Sequence, residues 1–297
     1  MQLSFSQRRW MRTTLTALTL GFSGLSQAHG LTPVDGLLTP ESVIQAADGK
    51  IYVSEINGFG QDGDGQIRVI DHGKTSVLVQ GLDDPKGLMI IGNDLYIADK
   101  TRVLRVALNE SPVHAEVFLA ATDFPKTPQF LNDLSADANG NLYISDSGDI
   151  LGSGKGGVVY KVTPQRKLSL LLDDRIDARI LAPNGLLADA KGEHLLVVDF
   201  TSGVLYDYNL LNRTLEEVAK GFGGGDGIVK QANGMIYVSD WKSGNIFTVD
   251  AKHKVTLIKS GYQAAADIAL SQDDHHLLVP DMKAGKLDIL PLSSDHK

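Results

Sequence analysis

The stretch Asn132-Asp133-Leu134-Ser135-Ala136-Asp137-Ala138-Asn139-Gly140-Asn141-Leu142-Tyr143-Ile144-Ser145-Asp146 decides the fold. A polar residue opens it and a small apolar segment follows. Asn139-Gly140 then marks a turn, and a β-rich run closes on an acid, so the stretch reads as a tight hairpin of two short strands. It has five counterparts: Glu41-Ser42-Val43 to Glu55, Lys86-Gly87-Leu88 to Asp99, Asn184-Gly185-Leu186 to Asp199, Asp226-Gly227-Ile228 to Asp240, and Asp267-Ile268-Ala269 to Asp281. Their first residues are separated by 45, 46, 52, 42 and 41 positions. This period, with about four short strands per copy and Gly-rich turns, is that of propeller blades.

Each copy continues into a third strand, as in Ile67-Arg68-Val69 and Ile246-Phe247-Thr248. A fourth, such as Ser76-Val77-Leu78-Val79, follows in all but the last, which stops after Leu287-Asp288-Ile289-Leu290. Val34-Asp35-Gly36-Leu37, ahead of Glu41, matches Val79-Gln80-Gly81-Leu82 ahead of Lys86. The expected fold is therefore an all-β, six-bladed β-propeller with four-stranded blades, whose N-terminal strand completes the last blade and removes an exposed sheet edge.

The chain starts differently. Arg8, Arg9 and Arg12 precede an apolar run, about Leu15 to Leu25, and then Ser26-Gln27-Ala28. This order is that of a cleavable secretory signal over residues 1–28, with a faint twin-arginine flavour, ahead of one propeller domain over 29–297. The run is shorter than the about 20 residues a membrane span needs, and no cysteine follows it for a lipid anchor. The expected location is periplasmic or extracellular. Without the three arginines, 25 cationic side chains face 36 acidic ones, a net charge of −11, which argues against nucleic acid or anionic membranes as partners. Cysteine is absent, so packing alone must hold the fold.

In a propeller the first strand of each blade lines the central channel. The loop entering it and the loop between strands two and three open on the same face. The first-position column, Glu41, Lys86, Asn132, Asn184, Asp226 and Asp267, should therefore converge at one channel mouth. Clustered carboxylates repel unless a cation relieves them, and an all-oxygen donor set suits calcium, with magnesium, manganese or zinc as alternatives. The plainer reading is that these polar residues cap turns or bind channel water. The second acidic column (Glu55, Asp99, Asp146, Asp199, Asp240, Asp281) recurs in every blade, as expected of a structural device that bonds backbone amides of the following loop. The internal histidines fall in turns of the opposite face, so none is expected as a base at the mouth. Gly152-Ser153-Gly154-Lys155-Gly156-Gly157 joins two strands and lacks the phosphate-loop order, and Asp62-Gly63-Asp64-Gly65 lacks the rest of a calcium loop. Both read as loops on the mouth face.

The pieces Pro40-Glu41-Ser42-Val43, Leu131-Asn132-Asp133, Pro183-Asn184-Gly185-Leu186 and Asp226-Gly227 resemble motifs of the regucalcin/gluconolactonase/luciferin-regenerating-enzyme superfamily. Paraoxonases and bacterial drug-responsive lactonases are more distant relatives. The resemblance implies that Glu41, Asn132, Asn184 and Asp226 hold a divalent cation and that the substrate is a lactone or related ester. The cation would polarise the carbonyl and acidify a water, with Asp226 as general base. It also implies two departures. Phe130 stands where regucalcin-like enzymes hold a sugar lactone with arginine, and Lys86 stands where paraoxonases carry histidine. Lys86 is accordingly a candidate catalytic residue that stabilises an oxyanion or binds an anionic substrate, or else a salt-bridge partner of Asp267 or Glu41 that partly replaces the metal. Phe130, Asp133 and Asp267 are the candidate substrate-facing positions. Long mouth loops bring Phe59, Phe124, Phe130 and Ile150, with Trp241 nearby, an apolar rim that suits a hydrophobic ester but that loop packing also explains. A non-catalytic scaffold propeller of the NHL type, binding a ligand or protein, is the alternative.

Overall fold

The computed structural model describes residues 31–292; the proposed signal segment lies outside the described residues. Six four-stranded antiparallel sheets form the blades of the propeller. The innermost strands are Pro40–Gln45, Pro85–Ile91, Leu131–Ala136, Pro183–Ala188, Gly225–Lys230 and the short Ala269–Leu270. Each packs beside the innermost strand of the next blade, and the last returns to the first.

Closure follows the sequence expectation. Val34–Asp35 pairs with the strand Lys286–Pro291 in the register Val34 to Leu287 and Asp35 to Lys286. The Leu37 amide extends this contact to the Gly285 carbonyl. The chain's first described strand is thus the outer strand of its last blade.

Alternating apolar residues leave both faces of the inner sheets apolar, and neighbouring blades bury those faces against each other. Tyr143, Val159 and Leu172 of the third blade share a core with Leu186, Val197 and Tyr206 of the fourth. Leu37, Val43 and Val53 meet Leu278 and Leu287 across the closure. The cores therefore lie between blades, and that arrangement sets each inner strand's distance from the axis.

One local device aims the channel residues. In five blades the pairing of strands one and two shifts register at the start of strand one, between Pro40 and Val43, Pro85 and Leu88, Leu131 and Leu134, Pro183 and Leu186, and Gly225 and Ile228. A bulge of this kind bends the strand and re-aims a side chain. In three of these blades a serine of strand two accepts the bulged amide: Ser54 from Ser42, Ser145 from Asp133 and Ser239 from Gly227, at 2.8–2.9 Å.

Candidate functional site at the channel mouth

The acidic column of strand two positions the mouth. Asp146 accepts the amides of Gln129 and Phe130 from the incoming loop and of Gly148 from the following one. Asp199 does the same for Leu181 and Ala182, and for Thr201 and Ser202. The structural role expected of this column holds, and it reaches further than the following loop. Asp146, Asp199 and Asp281 tie both mouth loops to their blades, while Glu55 and Asp99 hold only the incoming loop and Asp240 only the following one; the ring position stands just beyond the clamped segment.

A cavity of about 260 Å³ opens here, and Glu41, Lys86, Asn132, Asn184 and Asp226 all line it. The sixth expected member does not. Ala265 bridges to Asp281 as Pro40 does to Glu55, so Ala266 is the last blade's ring position and Asp267 stands one place further along. Asp267 is buried below the mouth and accepts a 2.6 Å hydrogen bond from the Ser42 hydroxyl. Asp133 occupies the same second level and binds the amides of Leu134 and Leu186, each at 2.6 Å. Neither carboxylate lines the cavity, whereas Phe130 does. The sequence signal for this register was Ile268. Elsewhere an apolar residue falls two places after the ring residue, which points to Ala266.

Three ring oxygens are buried without a hydrogen-bond partner: Glu41 Oε2, Asn184 Oδ1 and Asp226 Oδ1. Unpartnered buried oxygens are rare and each calls for an explanation. Asn132 points its own oxygen into the same space. Its Nδ2 donates to Ser147 Oγ at 3.0 Å, while the Ser147 hydroxyl donates to the Pro183 carbonyl at 2.9 Å, so the serine can only accept from Asn132 and the amide orientation is fixed. Among the described residues no group of three or more His, Cys, Asp or Glu side chains gathers as a metal cluster. The ring instead offers two carboxylates and two carboxamides, a donor chemistry that fits a hard cation.

The electrostatics follow from burial. Desolvation raises the Glu41 carboxyl well above the usual carboxylate range, helped by the charges of Asp226 and Asp267 and opposed by Lys86. Burial likewise raises Asp226, with Asp267 adding to it and the hydrogen bond from Asn184 opposing. Asp133 is raised by burial and by Asp267. Asp267 is pushed up to about 7, chiefly by burial. Burial lowers Lys86, against the attraction of Glu41, Asp84 and Asp99.

Lys86 corrects one expectation. It forms no ion pair with Glu41 or Asp267 among the described residues. Its ammonium donates to the Asp84 carbonyl at 3.0 Å and lies 4.3 Å from the centre of the Phe130 ring. A lysine spends only part of its donor capacity on one carbonyl, so Lys86 keeps N–H groups for the cavity.

The walls are apolar. Phe59, Phe130, Ile150 and Trp241 line them as the loops suggested, whereas Phe124 is buried against Tyr160 instead. Sequence reasoning missed Ile56, Leu151, Phe200 and Met282. A signal was present for three of them. The residue directly after the strand-two acid faces the mouth in four blades, as Ile56, Phe200, Trp241 and Met282. In the third blade that residue is Ser147, which orients Asn132. No histidine lines the cavity. The 152–157 loop is held by bonds from Asp149, and in the 62–65 turn Asp62 pairs with Lys100 while Asp64 accepts the Gly58 amide.

The sequence profile of the SMP-30/gluconolactonase/LRE-like region matches residues 81–279. The chain belongs to this family. Its fold is similar to that of a gluconolactonase of Xanthomonas campestris at 17% identity, with a TM-score of 0.72 over 87% of this chain and 88% of the other. A structural-genomics structure assigned to the gluconolactonases is also similar at 17% identity, with a TM-score of 0.69 over 88% of this chain and 92% of the other. No curated protein matches the chain in sequence. In this gluconolactonase-like chain Phe130 and Lys86 belong to one side of the same site, since the ammonium lies over the ring.

Proposed function

We propose that this chain is an exported, divalent-cation-dependent hydrolase of a lactone or related ester, acting at the channel mouth. The observation that carries the reading is the set of buried, unpartnered oxygens on Glu41, Asn184 and Asp226 around one cavity. Glu41, Asn132, Asn184 and Asp226 would hold the cation, and their all-oxygen donor set suits calcium. When bound, it supplies Lewis acidity to the ester carbonyl.

The chain's own groups do the rest. Asp226 receives the proton as a water oxygen attacks the carbonyl carbon, and Asn184 beside it favours the ionised carboxylate. Lys86 donates to the carbonyl oxygen as negative charge develops on it. Collapse breaks the bond to the ring oxygen, which takes the proton back from Asp226 and leaves as the hydroxyl of the product acid. Export rests on Arg8, Arg9, Arg12 and the apolar run after them. Mass spectrometry of the mature N-terminus tests it.

The scaffold alternative would be favoured by Lys86 bridging ring carboxylates. The contacts of Lys86 with the Asp84 carbonyl and Phe130 do not support it. The direct test combines metal analysis of the purified protein with initial rates on a lactone panel, for the wild type with and without chelator and for Asp226→Ala. Activity that survives both chelation and the substitution would sink the cation-dependent mechanism at Asp226, and no turnover of any lactone would sink the hydrolase reading. Among the described residues no helix is long and apolar enough to cross a membrane.

A further inference from the structure

We infer that the lactone taken by this site carries an apolar chain and not the hydroxyls of a sugar, an inference that rests on the lactone-hydrolase reading above. The cavity divides sharply by chemistry. Its polar side chains, Glu41, Lys86, Asn132, Asn184 and Asp226, all belong to the ring at the channel mouth. Its walls are Phe59, Phe130, Ile150, Phe200, Trp241 and Met282, joined by Ile56 and Leu151.

The one wall side chain able to donate a hydrogen bond is already engaged, since Trp241 Nε1 donates to Met282 Sδ at 3.2 Å. The exposed lysines beside these walls, Lys242 and Lys283, are not among the residues that line the cavity. Lys242 sits 4.4 Å over Phe200 and Lys283 sits 4.1 Å over Trp241. A substituent that leaves the reacting carbonyl and enters the space between the walls therefore meets, among the lining wall residues, no free side-chain donor or acceptor. Each hydroxyl buried there unpaired lowers kcat/KM by about tenfold. Each methylene laid against these rings raises it by about fourfold, until the space is filled.

The mouth also presents apolar surface that such a chain would cover. Phe59 is 48% exposed and Leu151 is 82% exposed. Phe130 is the pivot. Its ring faces the Lys86 ammonium, so it closes the polar ring on one side with a surface that holds no hydroxyl.

The test uses the calcium-loaded mature protein and three δ-lactones: δ-valerolactone, its 5-pentyl homologue and glucono-δ-lactone. The expected result is a kcat/KM at least tenfold higher for the pentyl lactone than for δ-valerolactone, with glucono-δ-lactone below both. Phe59→Ser and Ile150→Ser, both in surface loops, should each reduce the pentyl-to-unsubstituted ratio at least threefold. A glucono-δ-lactone rate equal to or above the pentyl lactone's, or rates independent of the chain, would overturn the inference. Calorimetric titration with the matching uncleavable δ-lactams separates the two readings. If no lactone is hydrolysed, the hydrolase reading falls. The substrate inference then stands if the pentyl lactam binds at least tenfold tighter than the gluconolactam, and fails if it does not.

Discussion

Gly185 lies so close to Asp226 that a β-carbon on the glycine would fall 2.0 Å from the Asp226 carbonyl oxygen. The candidate base is therefore positioned through the neighbouring blade's backbone, and the residue beside one ring ligand must be glycine for the next ligand to take its place. Gly87 and Gly227 stand in the same relation to the backbones of Asn132–Asp133 and Asp267–Ile268. Gly185→Ala should destabilise the fold by about 1–3 kcal/mol through overpacking and displace Asp226, lowering both cation affinity and lactone turnover by tenfold or more. Gly223→Ala, whose β-carbon would meet nothing nearer than Asp240 Oδ2 at 3.7 Å, is the control. Calcium titration and thermal melts of the two variants check the pair.

Lys86 carries a second prediction. Its ammonium is buried, bonded to a backbone carbonyl and stacked on Phe130. Lys86→Met keeps most of the volume and removes the charge. If the amine stabilises developing charge, kcat should fall by about 10²–10³-fold with KM little changed. The folded protein should be as stable as wild type or more so, because a buried charge without an ion pair is removed. Steady-state kinetics beside denaturant melts separate the two effects, and an unchanged kcat would remove Lys86 from the chemistry.

The buried acids predict how the metal-free protein responds to pH. Glu41, Asp133, Asp226 and Asp267 all have carboxyls raised by burial, Asp267 to about 7. A carboxyl raised in the folded state binds protons more tightly there than in the unfolded chain, so its stabilising effect is present at low pH. That effect is lost as pH rises from the unfolded value, near 4, through the folded one. Without divalent cation, Tm should therefore fall between about pH 4 and pH 7. Added calcium should restore much of it above pH 7, since a ligand that binds only the folded state stabilises it. Calorimetry across that range, with and without calcium, checks the sign; a Tm that rises with pH in chelator would contradict it.

The clamp in strand two can be tested apart from catalysis. Asp199→Ala would orphan the amides of Leu181, Ala182, Thr201 and Ser202, two of them entering the ring strand that bears Asn184. The expected loss is about 1–3 kcal/mol, chiefly from the buried Ala182 amide left unpaired, since the part-exposed amides can bond water. Asp35→Ala breaks only the exposed pair with Lys286 and should cost less than about 1 kcal/mol.

The period of the repeat, the turn after each first strand and the match between Val34–Leu37 and Val79–Leu82 were enough to predict blades, their number and the closure by the N-terminal strand. Those features are local or nearly so: a turn sequence and an alternating pattern select a hairpin whatever surrounds it, and blade order then assigns loops to faces. Glu41, Lys86, Asn132, Asn184 and Asp226 were legible as a group for the same reason. Tertiary structure fixed the register of the last blade, to which Ile268 only pointed: Ala266 and not Asp267 reaches the ring, because a one-place slip in a strand turns every side chain to the other side and neighbouring strands fix that choice. It alone decided that Lys86 turns to Phe130 and the Asp84 carbonyl, that Phe124 enters a core and that Leu151 faces the mouth. Partners such as these come from different blades, and only the closed ring brings them within contact distance.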